Sequence, residues 1–425
     1  MADATTKPSD AIPAEDRRVL RELGKRIADI AALPVQQERR ALWARLNELR
    51  SARPMVWLFE VPWNEMEVGD ELTVRSTSPW CKGIEYDFRR KLYQWDHMQG
   101  DMVVEPVFFV GPALRDTGFG MSEKVDVART DPTSSVVSRH YHIQIQDEAD
   151  IAKIQIPQIT LDEEAWERNL LLYTELFDSV LPVRKGGVRG TSIAPWDLLV
   201  RLTGVGEVLE DMCTRPAYVH KVIDHLTRAY THRLDRYEQL NVLALNNETY
   251  SGGGYQHTAE LPPPDYDPSR VRPRDMWGRT MSQIFSAVSP AMHEEFALQY
   301  ECRWLNRFGL TYYGCCEPLD RKVGILRRNV PSLRKISMSP WIDLDIAAEA
   351  VGTDFVFSWK PNPEVLAHDD WDPDFVRRDM RRTLSRLQGL HVEIIMKDIS
   401  TVRHDPPRLW HWARIATEVA AEFAV

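Results

Sequence analysis

Apolar positions along the chain change their period near residue 50. Between Asp16 and Arg50 they fall at three- and four-residue steps, with Leu20, Leu23, Ile27, Ile30 and Leu33 on one face. That spacing predicts an amphipathic helix, and a second helix is expected from Gln36 to Leu49. Residues 1 to about 13 are polar and rich in Ala and Pro, which predicts a disordered tail. The first 50 residues thus read as a tail and a helical hairpin. The hairpin is expected to cover the N-terminal end of the fold or to make a homodimer contact.

From Met55 the pattern becomes a series of short apolar runs. The expected strands are Met55–Glu60, Val103–Val110, Gly190–Pro195, Val242–Leu245, Leu310–Gly314, Leu333–Met338, Phe355–Trp359 and Val392–Met396. Helical patterns separate the later ones, at Asp320–Arg328, Asp343–Val351, Asp374–Leu390 and Pro406–Phe423. Strands alternating with helices predict parallel pairing, and eight such strands predict a closed (β/α)8 TIM barrel. Residues 51–425 are therefore expected to form a single barrel. Two stretches break the rhythm. Residues 61–150 are poorly periodic, and 251–280 are Gly- then Pro-rich. Both are expected to be long loops over the catalytic mouth.

Composition narrows the class. Lys and Arg total 53 against 63 Asp and Glu, a net charge of −10. An acidic chain without a basic block argues against nucleic acid or an anionic membrane as the main partner. No apolar run is long enough for a transmembrane helix, and the N-terminus lacks the apolar core of a secretory signal. The cysteines are Cys81, Cys213, Cys302, Cys315 and Cys316; an odd, sparse set fits a reducing, cytoplasmic setting rather than a disulfide framework.

In a barrel the C-terminal strand ends face the site. The expected ends carry Glu60, Asn246, Asn247, Glu248, Cys315, Cys316, Glu317, Ser339, Lys360, Lys397 and Asp398. Cys315-Cys316-Glu317 offers two thiols and a carboxylate, suited to a metal or a nucleophile, or else two small residues packing at the barrel top. Lys360 and Lys397 predict a cationic wall for a carboxylate or phosphate, although Lys397 has Asp398 beside it to satisfy it. Glu248, Glu317, Lys397 and Asp398 are the candidate catalytic groups. Glu60, Asn246, Asn247, Tyr313, Trp341 and Lys360 are the candidate substrate contacts. Asn246-Asn247-Glu248 also reads as a plain turn. His140 and His142, two apart on an extended segment, share a face and could join Cys315 and Cys316 at a metal. Aromatic residues near the presumed mouth suit a flat or apolar small-molecule substrate.

Several stretches resemble the uroporphyrinogen decarboxylase superfamily. Arg53-Pro54-Met55-Val56-Trp57 resembles its first strand. Ile193-Ala194-Pro195-Trp196-Asp197-Leu198, a helix to Cys213 and Arg215-Pro216 resemble its strand and helix signatures. Ser289 to Phe296 resembles the helix before its fifth strand. The resemblance covers roughly 180–425 and, loosely, 51–66, and it implies the barrel fold. The decarboxylases' Arg-rich stretch is replaced here by Leu58-Phe59-Glu60-Val61-Pro62-Trp63, so the resemblance does not extend to uroporphyrinogen. The superfamily's corrinoid and coenzyme M methyltransferases bind zinc through His-x-Cys and a later Cys. Here the His position is Tyr313, the Cys position is Cys315, and the later position falls near Lys397. Gly314-Cys315-Cys316-Glu317-Pro318-Leu319 and Lys397-Asp398-Ile399-Ser400-Thr401-Val402 resemble its decarboxylase-like members. The resemblance implies methyl transfer or demethylation at a thiolate-containing zinc site, with a corrinoid protein as partner. Two other readings stay open: a metal-independent decarboxylase or lyase acting on a carboxylated or aromatic small molecule, and a binding barrel with a degenerate site.

Overall fold

The computed structural model of the chain describes residues 12–129, 132, 136–250 and 252–424. The tail expected at residues 1–13 falls outside them up to residue 11. Among the described residues no helix is long and apolar enough to cross a membrane.

Seven strands form one sheet: β1 (Met55–Leu58), β2 (Ser192–Ile193), β3 (Trp277–Thr280), β4 (Leu310–Tyr313), β5 (Leu333–Met338), β6 (Val356–Trp359) and β7 (His391–Met396). Their order is β1-β7-β6-β5-β4-β3-β2, and every neighbouring pair is parallel. Helices Val323–Asn329, Leu344–Val351, Pro373–Arg386 and Pro407–Glu422 separate or follow the later strands, as their periodicity predicts. Asp343 and Asp372 start two of them by accepting backbone N–H bonds as N-caps. β1, β3, β4 and β6 are buried along their whole length, as parallel strands covered on both faces require. This is an α/β architecture compatible with a TIM-like fold.

The expected strand set needs three corrections. Val103–Val110 contributes only Phe108–Val110, which pairs with Val183–Lys185 in a separate two-stranded sheet. Pro106 lacks the N–H a central strand must donate. Val242–Leu245 makes a single parallel bridge, Leu243 to Val188. The true central strand is β3, inside the stretch read as a loop. Asn246 explains the exchange: its side-chain amide accepts from Trp277 N–H and donates to Trp277 C=O, both at 2.9 Å. The amide does for β3 what a neighbouring backbone would do.

Among the described residues the hydrogen-bonded ladder does not close between β1 and β2. Residues 252–257 instead pack into the sheet's interior. Gly253 lies against Glu393 and Tyr312, and Gly254 lies against Trp43. The helical hairpin, Ala14–Ala31 and Pro34–Asn47, reaches the same segment. Asn47 Nδ2 donates to the carbonyls of Tyr255 and His257, at 2.9 and 2.7 Å. His257, within the 251–280 stretch expected over the mouth, is buried there, and burial lowers its pKa to about 4. The 61–150 region contains the helix Pro79–His97, which packs on the first helix of the hairpin. It also contains the antiparallel pair Val125–Ala128 and Ser138–Tyr141.

Candidate functional site

Polar side chains fill the inside of the sheet. Lys335 and Glu393 form a fully buried ion pair at 2.7 Å. Tyr312, Ser358 and Lys360 continue the network, with Lys360 Nζ donating to Tyr312 Oη at 2.6 Å. Burial pushes Lys360 down to about 7. Lys360 therefore belongs to the interior, and its nitrogen is committed to Tyr312 and Ser358 rather than to a wall of the mouth.

Gly314 follows β4, and its φ of 93° turns the chain out of the sheet. A side chain there would also strike Leu319. The next turn is held by Glu317. This carboxylate is fully buried and accepts the Cys315 N–H at 2.9 Å and the Ser282 N–H at 3.1 Å. Burial raises it to about 7. Glu317 thus clamps the turn instead of facing a substrate. Tyr313 is a second correction. It is buried against His293 and Glu301, with its hydroxyl 2.6 Å from each. The tyrosine that faces the polar network is Tyr312, because successive strand residues point to opposite faces.

The turn presents its thiols to the end of β7. Lys397 Nζ lies 2.9 Å from Cys315 Sγ and 3.7 Å from Cys316 Sγ. The two sulfurs are 3.6 Å apart, and Cys316 Sγ is 3.4 Å from Asp398 Oδ2. Lys397 also stands 3.1 Å from Asp398 and 3.8 Å from Glu60. The bond from Cys316, together with the charges of Lys397 and Arg279, overcomes burial and lowers Cys315 to about 5. Cys316 moves the other way, chiefly because it donates to Cys315. Both the close Lys397 ammonium and the bond donated by Cys316 favour Cys315 as the ionised sulfur of the pair. Burial, and then its bond with Asp398, raises Glu60 to about 7. Glu60 and Asp398 both have φ of 56°, a left-handed conformation costly for a residue with a side chain. Two strained positions at adjacent strand ends hold both carboxyls beside one lysine.

Five expected site residues thus come together: Glu60, Cys315, Cys316, Lys397 and Asp398. Glu248 is exposed on the rim of a cavity of about 540 Å³, whose lining includes Trp57, Phe59, Glu60 and Tyr250. The other candidates lie elsewhere. Asn246 is buried at the start of β3, and Asn247 donates to Leu261 C=O at 3.2 Å. Trp341 is 70% exposed on the loop after β5. His142 pairs with Asp126 at 3.0 Å on the antiparallel hairpin, apart from the thiols. Among the described residues no group of three or more His, Cys, Asp and Glu side chains is placed to hold a metal. The thiols surround an ammonium group, so the residues here do not fit the expected zinc.

Sequence reasoning missed Arg279, Lys335 and Glu393. A charge inside a short apolar β run was the available signal for the last two, in LRKISM and VEIIM. Arg279 was hidden in a stretch read as loop. It lies 5.0 Å from the Tyr312 ring centroid and donates to Gly314 C=O at 3.1 Å.

No protein-family model and no curated protein matches the sequence. The fold is similar to that of a methyltransferase from Methanosarcina mazei, with a TM-score of 0.51. The two chains are 11% identical, and the match covers 91% of this chain and 99% of that one. At that identity the likeness is one of fold.

Proposed function

We propose that this protein is a small-molecule methyl-transfer enzyme in which Cys315 is the group that meets the methyl carbon. The observation that carries the reading is the buried Cys315 sulfur with the Lys397 ammonium 2.9 Å away. A thiolate is the nucleophilic form of cysteine, and a fixed cation keeps it ionised. The fold shared with a methyltransferase agrees with this reading. So do the stretches resembling the uroporphyrinogen decarboxylase superfamily, and we assign the chain to its methyltransferase side.

In the proposed step a lone pair of Cys315 Sγ forms the S–C bond as the bond from carbon to the leaving atom breaks. The leaving atom takes that electron pair. Lys397 positions the sulfur, and Cys316 donates a hydrogen bond to it. Glu60, raised by burial to about 7, stands on the side of the aromatic cavity. Zinc has no part in this scheme. The acceptor that removes the methyl group from Cys315 is a separate molecule, and a corrinoid protein is the class the resemblance implies. The decarboxylase reading required Lys360 and Lys397 as paired carboxylate grips, and both are already engaged by protein groups.

A reactive methyl sulfonate ester tests the proposal. Peptide mapping by mass spectrometry is expected to place the methyl group on Cys315 before any other cysteine, and Cys315→Ser should abolish that modification. Equal labelling of the exposed Cys213 and Cys315 would sink the idea.

A further inference from the structure

The cavity of about 540 Å³ beside Glu60 has two unlike sides. One side is aromatic. The Trp57 ring lies 4.9 Å from Tyr250 and 5.0 Å from Tyr255, and Phe59 lies 5.8 Å from Tyr250, between centroids. Tyr250 remains 44% exposed, so part of this cluster is uncovered. The other side is charged. Arg90 rests on the rings of Tyr86 and Trp63, at 3.5 and 4.8 Å. Lys91 has Asp87 and Glu105 as its charged neighbours. The cavity's cations thus already have partners in the protein. Glu60 lines the cavity and links it to the thiols through Lys397, which lies 3.8 Å from Glu60 and 2.9 Å from Cys315 Sγ, and Glu248 lies on the cavity's rim.

Aromatic faces carry negative potential and attract a cation that water holds weakly. Two carboxylates next to such faces reinforce that preference. A quaternary ammonium or sulfonium group, unlike a primary ammonium, needs no hydrogen-bond acceptors. It is also a methyl donor that a thiolate attacks without metal assistance.

Resting on the methyl-transfer reading, we propose that this aromatic cavity binds an onium substrate, a quaternary ammonium or sulfonium compound, and presents its methyl group to Cys315. The step balances. The sulfur pair forms S–CH3, the C–N or C–S pair returns to the leaving atom, and a neutral amine or sulfide departs without a proton. A thiolate and an onium cation annihilate their charges as they react, so a cavity poor in water favours the transition state. Toward such a ligand Glu60 is the counter-charge, because a cation held beside a carboxyl favours its ionised form.

Isothermal titration calorimetry with choline tests the binding. The comparison ligand is choline's neutral isostere, with a tert-butyl group in place of trimethylammonium. Choline is expected to bind at least about tenfold more tightly than the isostere, the ratio set by one cation–π contact. Tyr250→Leu and Glu60→Gln should each erase most of that preference, with circular dichroism confirming the fold. Equal binding of the two ligands, or an undiminished preference in both variants, overturns the inference. The methyl sulfonate experiment is independent of it. Cys315 labelling without choline preference removes the onium substrate and leaves methyl transfer standing. Choline preference without Cys315 labelling retains the cavity's ligand class and removes the chemistry.

Discussion

Replacing Lys397 with methionine deletes the cation 2.9 Å from Cys315 Sγ and keeps a side chain of similar length and bulk. The bond from Cys316 and the charges of Lys397 and Arg279 hold Cys315 at about 5, below the ordinary thiol value of 9.0, although burial alone would raise it. A charge-assisted hydrogen bond contributes about 1.5–3 kcal/mol, and one unit corresponds to about 1.4 kcal/mol. Losing the ammonium should therefore raise Cys315 by about two pKa units, while the Cys316 bond and Arg279 remain to hold it below the ordinary value. The midpoint of Cys315 alkylation by iodoacetamide is expected to rise from about 5 to about 7. At about pH 6 the thiolate fraction then falls about tenfold, and the alkylation rate with it. Lys397→Arg, which keeps the charge, should fall between the two. Peptide mapping assigns the signal to Cys315. A wild-type midpoint in the usual thiol range, or one unmoved in Lys397→Met, would refute the argument that Lys397 makes the thiolate.

Other parts of the structure make further predictions. Lys335→Met removes the buried ion-pair partner of the Glu393 carboxylate, and denaturant melts should show a loss of about 3–5 kcal/mol; a loss under about 1 kcal/mol would mean that the pair is solvated. Glu317→Ala leaves the Cys315 and Ser282 N–H groups unpaired, which costs about 1–3 kcal/mol each, and should slow Cys315 alkylation by loosening the turn. Burial raises Glu301 from 4.5 to about 7. A raised folded value means that its stabilisation is complete below about 4.5 and lost as pH rises through about 7. Melting temperature should accordingly fall across that window, and Glu301→Gln should flatten the fall; an identical pH profile in the variant would contradict the assignment. Elemental analysis should return far less than one zinc per chain, and a full equivalent lost in Cys315→Ser would overturn the ammonium-centred site.

Much of the second half of the fold was legible in the chain. Leu333–Met338 and its neighbours are short, apolar and separated by helical patterns. Burial on both faces gives parallel strands that signature directly. β3 was not legible. Gly278 and Arg279 break the apolar run, yet each answers to a distant neighbour: Gly278 makes room for the Phe308 ring, and Arg279 is buried over Tyr312. Asn246 read as a turn residue and a substrate contact because its partner lies 31 positions away at Trp277.

The site divides the same way. The sequence by itself determined that thiols and charges stand where strands end, since the boundary of an apolar run is a local property. It also determined Cys315, Cys316, Lys397 and Asp398 as candidates. Only the tertiary structure decided that Lys397 stands against Cys315, that Glu317 turns inward to hold the loop, and that His142 belongs to another element. Those outcomes depend on which strands are neighbours and which way each side chain leaves its strand. Parallel pairing of β1 with β7 brings Glu60 to Lys397 across more than 300 residues. No local pattern encodes that distance, because the energy that sets it is the burial of the whole sheet.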